Sequence, residues 1–312
     1  MNVAAVERDV LLPTPKRVEV PVREAVVDLT VAIVNYKSKE LLARCLDTWR
    51  DATRGIFAEL CIVENGTGDR LEEILAQKVP GARLAELPRS IAFSAAVNTA
   101  LLEARGRYVC LLNPDTLLGS DSLARLVRFL DSNADVGVVG PRVWDDAAQT
   151  SIQRSWRAFP SLSTAVFNRH SLLSKLWPGN PWTRKYLNLD APADATQDTD
   201  WLSGCCMVVR TALFQELRGL DTGFPMFCED VDFCRRVKAA GHRVVYLPQA
   251  EIVHHVGGSR KKASMRSEWL RHRSMSHYVL KYRGRKNPVS WALVAGVWGR
   301  FVVKALHARS RG

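Results

Sequence analysis

The 312-residue chain lacks the usual glycine-rich phosphate loops. Neither G-x-G-x-x-G nor G-x-x-x-x-G-K-S/T follows its first apolar run, which excludes the dinucleotide and P-loop fingerprints. No G-x-S-x-G is present, so the hydrolase nucleophile elbow is absent too. The seven cysteines (45, 61, 110, 205, 206, 228 and 234) contain no C-x-x-C pair. Their odd number and scatter, several inside apolar runs, predict buried free thiols in a reducing compartment, with neither a disulfide framework nor a closed zinc site. No apolar run reaches the ~20 residues a spanning helix needs. The longest late one, Val289 to Val303, is about 15 residues and is interrupted by Arg300, which suits an interfacial segment. Residues 1–27 mix Glu7, Arg8, Asp9, Pro13 and Pro15 without an apolar core, and read as a flexible leader, not a signal peptide or anchor. With 47% hydrophobic and 24% charged residues, the chain is neither disordered nor collagen-like.

What is present in excess is positive charge, and it is placed at one end. The net charge is +12, yet residues 1–256 sum to −1, while Gly257–Gly312 hold 14 Lys and Arg against the single acid Glu268. Such a tail suits phosphate, whether of nucleic acid, anionic lipid or a pyrophosphate-linked substrate.

The body of the chain alternates between strand and helix patterns. Leu29–Val34 is a buried strand, and Ser38 is placed to cap a helix running to about Arg50. Strands are predicted at 60–63, 83–87, 108–112 and 136–140, the last ended by Pro141, with helices near 70–77, 93–104 and 121–131. Alternation of this kind predicts an α/β, doubly wound, mostly parallel (Rossmann-like) sheet. Ligands bind beyond the C-terminal strand ends of such sheets. The residues there are Asn35-Tyr36, Glu64-Asn65-Gly66 and Asn113-Pro114-Asp115-Thr116, which read either as plain turns or as one shared site. Residues 144–200, rich in Trp, Pro, Ser and Thr, read as a substrate-facing region or as a covering layer.

Chemistry concentrates at a few positions. Asp115 ends the strongest strand. Glu229, Asp230 and Asp232 open an amphipathic helix that ends at Gly241, where they either stabilise the helix dipole or supply a general base. His254 and His255 close an apolar run before Gly257-Gly258, and with Asp115 one of them could complete an oxygen/nitrogen site for Mg²⁺ or Mn²⁺.

These segments, in this order and spacing, resemble the family-2 glycosyltransferases of GT-A fold, particularly their bacterial rhamnosyltransferase-like branch. The resemblance spans about residues 28–283. It is carried by Val-Ala-Ile-Val-Asn-Tyr-Lys (31–37), Ile-Val-Glu-Asn-Gly-Thr-Gly-Asp (62–69), Leu-Leu-Asn-Pro-Asp-Thr (111–116), Trp-Leu-Ser-Gly-Cys-Cys-Met (201–207), Phe-Cys-Glu-Asp-Val-Asp-Phe-Cys (227–234) and Val-His-His (253–255). It implies a glycosyltransferase domain over 28–258, divided into a nucleotide-binding half (28–140) and an acceptor-side half (141–258), followed by a basic amphipathic helical tail (259–312). It also implies Asp230 as general base supported by Glu229, and Asp115 with His254 on a divalent metal, His255 being the other candidate. Asn35, Glu64, Asn65, Asp69 and Asn113 would line the donor nucleotide, and Trp201, Gly204, Asp232 and His255 the acceptor side. Two departures stand out. Glu64 replaces the family's usual Asp, and Ser-Ile-Ala-Phe (90–93) replaces Asn-x-Gly-Phe, where Ala tolerates positive φ less well than Gly.

The implied activity is inverting, metal-dependent transfer from a dTDP- or UDP-linked sugar, rhamnose being one candidate. The implied acceptor is a saccharide or lipid-pyrophosphate-linked precursor of cell-surface polysaccharide. The tail, with Trp291, Leu293, Val294, Val297, Trp298, Phe301 and Val302, suits peripheral contact with an anionic membrane, on the inner, cytoplasmic face. The competing readings are a nucleic-acid-binding tail, for which no recognised motif is present, and an inactive transferase-like scaffold.

Overall fold

The computed structural model of the chain describes residues 26–161, 177, 179–254 and 265–309. His255 and the basic run Arg260-Lys261-Lys262 lie outside the described residues, as does nearly all of the expected leader.

In chain order the nucleotide-side half comprises β1 (Leu29–Asn35), α1 (Lys39–Asp47), α2 (Trp49–Ala52), β2 (Ala58–Glu64), α3 (Glu72–Lys78), β3 (Arg83–Glu86), α4 (Phe93–Ala100), β4 (Tyr108–Leu112), β5 (Thr116–Leu118), α5 (Ser122–Ser132) and β6 (Val136–Trp144). The second half adds β7 (Ile152–Gln153), β8 (Trp156–Arg157), α6 (Pro181–Tyr186), β9 (Gln197–Asp198), β10 (Trp201–Leu202), β11 (Cys206–Arg210), α7 (Thr211–Glu216), α8 (Glu229–Ala239) and β12 (Arg243–His254). Two helices close the described chain, α9 (Met265–Arg283) and α10 (Pro288–Arg309).

The main sheet runs β3-β2-β1-β4-β11-β6-β12-β5. β3, β2, β1 and β4 are mutually parallel. β11 enters antiparallel to both β4 and β6, and β12 is parallel to β6. All seven residues of β1 are buried because helices cover both faces of the sheet. Its side chains alternate between two cores. Leu29, Val31 and Ile33 pack with Leu42, Leu46 and Leu126 on one face. Ala32 and Val34 pack with Val97, Phe224 and Phe233 on the other.

Three local expectations change. Ser38 does precede α1, but it makes no side-chain cap; its Oγ donates to Asn35 Oδ1 at 3.0 Å. Pro141 does not end its strand. It pairs opposite Leu247 where the β6–β12 register slips, a place that does not need its missing N–H. The apolar tail segment is longer than the 15-residue run: α10 has 22 residues, and Pro288–His307, with mean hydropathy 1.4, is long and apolar enough to cross a membrane.

All seven cysteines are free. Burial pushes the Cys45, Cys61, Cys205 and Cys234 thiols up to about 12, far from a reactive thiolate.

Candidate active site

The parallel strands β1, β2 and β4 deliver their C-terminal ends to one rim of the sheet. Asn35 and Glu64 are partners in the β1–β2 register, and Asn65 N–H bonds the Asn35 carbonyl at 2.9 Å. Asn35 was expected to line a nucleotide pocket, but it is fully buried. Its amide donates to Asp69 Oδ2 at 2.8 Å while its carbonyl oxygen accepts from Ser38. Its part is to brace Asp69, which is itself half-exposed. Glu64 is also buried, and its Oε1 accepts the Thr67 N–H and hydroxyl, so it shapes the turn that follows. In that turn Gly66 has φ +69°, and a Cβ there would lie 2.2 Å from the Arg89 carbonyl carbon, so only glycine fits.

Asn65 reaches across to the 90–93 loop. Its Oδ1 accepts the Ile91 N–H at 2.9 Å and its Nδ2 donates to the Ile91 carbonyl at 3.2 Å. Ala92 stands here in ordinary extended backbone, φ −58° and ψ 142°, so this loop does not require the glycine expected at that place.

The carboxylate and imidazole ends meet through long-range pairing. After the register slip, β12 pairs antiparallel with β5, with His254 opposite Thr116. This brings His254 Nε2 to 3.2 Å from Asp115 Oδ1 and 3.4 Å from Asn113 Nδ2. His254 Nδ1 donates to Gln153 Oε1 at 3.0 Å, which turns the Nε2 lone pair toward Asp115. In the neutral tautomer that this bond selects, Nε2 and Asp115 Oδ1 are two lone-pair atoms 3.2 Å apart, which suits neighbouring ligands of one cation with bonds of about 2.1 Å. Among the described residues no third His, Cys, Asp or Glu completes a cluster. The remaining positions would therefore fall to water and ligand oxygens, the usual arrangement for Mg²⁺ beside a phosphate.

Asp230 sits at the opening turn of α8. Its Oδ2 accepts the Gly204 N–H at 3.0 Å and its Oδ1 the Val231 N–H at 2.8 Å. The chain reaches it through Phe227 and Cys228, both left-handed at φ 69° and 66°, a strained pair for residues other than glycine. Bonds from two sides hold this approach. On one side Phe93 N–H and Ser94 Oγ bond the Pro225 and Phe224 carbonyls. On the other, Ser274 Oγ of α9 bonds the Met226 carbonyl at 2.8 Å, and the Arg271 guanidinium lies 4.4 Å from the Phe227 ring centre.

The two acids of this turn differ in environment. Glu229 is buried and its Oε2 has no hydrogen-bond partner among the described residues. Burial first, and the Asp230 charge second, hold its carboxyl well above the usual carboxylate range. Burial raises Asp230 as well, but two N–H bonds and the nearby Arg157 guanidinium oppose it. The proton of the pair therefore belongs on Glu229 and the charge on Asp230.

Asp232 was expected on the acceptor side. It is fully buried, with Oδ2 on Arg236 Nε at 2.8 Å and Oδ1 on Lys281 Nζ and Tyr282 Oη, each at 2.6 Å. It ties α8 to α9 and has no face left for an acceptor. Trp201 is nearly buried too, its Nε1 on the Ala158 carbonyl and its ring under Arg157. Gly204 contributes its N–H to Asp230, as above. Gln153, Arg157 and Tyr186 were not anticipated. They lie in the irregular 144–200 stretch, where no spacing marks them.

Comparison with known proteins bears on the family and the fold. The family model described as "Glycosyltransferase like family 2" matches residues 27–275. The chain is 31% identical over 238 residues to the N-acetylglucosaminyl-diphospho-decaprenol L-rhamnosyltransferase of Mycobacterium tuberculosis, covering 73% of this chain and 76% of that one. It is 28% identical over 148 residues to the rhamnosyltransferase WbbL of Escherichia coli K12, covering 47% and 52%. In fold it is similar to a mannosyltransferase from Pyrobaculum calidifontis solved with GDP-Man and Mn²⁺, at TM-score 0.56 and 17% identity, covering 89% of this chain and 70% of that one.

Proposed function

The chain belongs to glycosyltransferase family 2, with the α/β GT-A fold, and from that premise we propose that it is an inverting rhamnosyl- or hexosyltransferase acting on a lipid-diphosphate-linked saccharide. The donor is a dTDP- or UDP-linked sugar, and the product a precursor of cell-surface polysaccharide. The observation that carries the reading is two groups joined through the 204–205 segment: a carboxylate held by two backbone N–H groups, one of them Gly204, and the Asp115–His254 pair, whose neighbour Asn113 donates its N–H to the Cys205 carbonyl. The relative that acts on a diphospho-decaprenol acceptor supports the substrate class.

Asp230 takes the proton of the acceptor hydroxyl as its oxygen bonds the anomeric carbon. The bond from that carbon to the donor phosphate breaks on the opposite face, and the nucleoside diphosphate leaves with the electron pair. Glu229, protonated, puts no second charge directly beside that of Asp230. Asp69 faces the nucleotide, braced by Asn35, while Asn65 sets the 90–93 loop. Asp115 and His254 would hold a divalent cation, Mn²⁺ or Mg²⁺, oriented by Gln153 and beside Asn113; when bound it neutralises charge on the diphosphate.

The tail seats the enzyme on the inner face of an anionic membrane. α10 leans on α9, with Phe301 5.4 Å from His272 and Lys304 bonded to Glu268 at 2.8 Å. Trp298 and Phe301 thus face α9, whereas Trp291, Val302, Val303 and Leu306 are exposed. α10 is long and apolar enough to span, and its ties to α9 along one side are what favour an interfacial seat.

The test is transfer by Asp230→Asn. A general base supplies about 10²–10⁴-fold, so transfer falls by at least that margin. Thermal stabilisation by dTDP or UDP with Mn²⁺ survives, on the order of 2.7 kcal/mol at 100 times Kd. Transfer at the wild-type rate, or wild-type transfer unaffected by EDTA, overturns the base or the metal assignment respectively.

A further inference from the structure

Beside Asp230 stands a cation whose part in the reaction as written is only to favour the ionised base. The two-stranded ribbon β8–β10 places Arg157 opposite Trp201, and Ser203 N–H bonds the Ser155 carbonyl at 2.8 Å. Gly204, the next residue, holds Asp230. The ribbon therefore carries Arg157 to the same corner as the base. Its guanidinium lies 5.3 Å from the Trp201 ring centre, and its Nε donates to the Arg154 carbonyl at 2.9 Å. These contacts fix the plane of the group, which hydrogen-bonds Tyr186 and lies close enough to Asp230 to favour its charge.

No carboxylate among the described residues forms an ion pair with Arg157. Nearby cations are otherwise engaged. Arg142 pairs with Asp194 and Glu251, Arg236 with Asp232, and Lys238 with Asp200. Arg154 donates to the Asn188 and Ala191 carbonyls. A rigid, half-exposed guanidinium with no carboxylate in ion-pair contact among the described residues keeps donors for a planar, bidentate anion such as a phosphate oxygen pair.

We propose that Arg157 binds the diphosphate of the acceptor and so makes a diphosphate-linked saccharide, not a neutral glycoside, the preferred substrate. This rests on the function proposed above. The donor's diphosphate belongs with Asp115 and His254, whereas Arg157 shares its corner with the base, where the acceptor hydroxyl must sit. A hydroxyl on Asp230 and a phosphate on Arg157 are then the two ends of one sugar. Trp201 supplies the platform that keeps the guanidinium from swinging away.

The experiment compares two acceptors carrying the same saccharide, one on a short-chain prenyl diphosphate and one as a neutral alkyl glycoside. Wild type, Arg157→Ala and Arg157→Lys are assayed against each at saturating donor. Arg157→Ala is expected to raise KM for the diphosphate acceptor on the order of 10-fold or more, the weight of a charge-assisted pair. On the neutral glycoside, where only its support of the Asp230 charge is lost, the fall in kcat/KM is smaller by about that same factor. Arg157→Lys restores part of the loss, because it keeps the charge without the fork. Equal losses on both acceptors overturn the inference and leave Arg157 as a support for Asp230. A raised donor KM with an unchanged acceptor KM overturns it in favour of the donor's diphosphate. Wild-type transfer to neither acceptor overturns the transferase reading itself, and this inference with it.

Discussion

Replacing Asp232 by Ala isolates a structural carboxylate two residues from the catalytic one. Asp232 is wholly buried and receives Arg236, Lys281 and Tyr282 at 2.8, 2.6 and 2.6 Å. Removing one partner of a buried ion pair costs about 3–5 kcal/mol, because the other charge stays behind. Here both cations retain other acceptors. Arg236 still bonds the Leu217 and Gly219 carbonyls, and Lys281 still reaches Asp221. The Tyr282 hydroxyl loses its close partner. We therefore expect the lower end of the range, about 3 kcal/mol. For a protein of this size that is a fall in Tm of roughly 6–12 °C, against a total stability of about 5–15 kcal/mol. The variant should fold at 25 °C. Urea unfolding followed by tryptophan fluorescence measures the loss, and acceptor KM at 25 °C should stay within about twofold, because Asp232 exposes no oxygen. A loss below about 1 kcal/mol, the value of a surface pair, would refute the argument. So would an unchanged stability with a raised acceptor KM, which would return Asp232 to the acceptor side.

Glu229→Gln should keep most activity, since an amide mimics the protonated acid. The wild-type Glu229 carboxyl is raised in the folded protein, so its contribution to stability is present at low pH and is lost as pH rises through that raised value. Wild type should lose stability relative to the Gln variant as pH rises, and parallel denaturation profiles across pH would contradict this. For the tail, Val302→Asp with Val303→Asp places charge on the outer face of α10 while leaving the Phe301 and Lys304 contacts intact. Binding to vesicles rich in anionic lipid should fall several-fold, with transfer to a soluble acceptor preserved; equal vesicle binding would remove α10 from the membrane contact.

Much of the sheet was legible because its strands are buried on both faces and so appear as continuous apolar runs. Leu29–Asn35 and Tyr108–Leu112 have no exposed residue. The polar residues that end them lie at one rim because parallel pairing aligns the strand ends. Element ends were less legible. Pro141 stops a strand by its local chemistry, yet here it falls at a register slip that only the partner strand β12 defines. The tail was undercounted because apolar runs are broken by Arg300 and Lys304, whereas a helix turns Lys304 toward Glu268 of its neighbour.

The sequence by itself determined the alternation of strand and helix, the rim residues, and the concentration of acids at 229–232. These follow from local propensity and from side-chain periodicity. Which acid does what was decided only by tertiary structure. Asp230 meets Gly204, just past the β8–β10 ribbon, Asp232 meets Lys281 and Tyr282 of α9, and the buried Glu229 Oε2 meets no hydrogen-bond partner among the described residues. Three carboxyls in four positions have the same intrinsic chemistry. Their solvation and their partners differ, and those are properties of the assembled fold. The same holds for Arg157, one cation among 44 in the sequence until the ribbon places it beside the base.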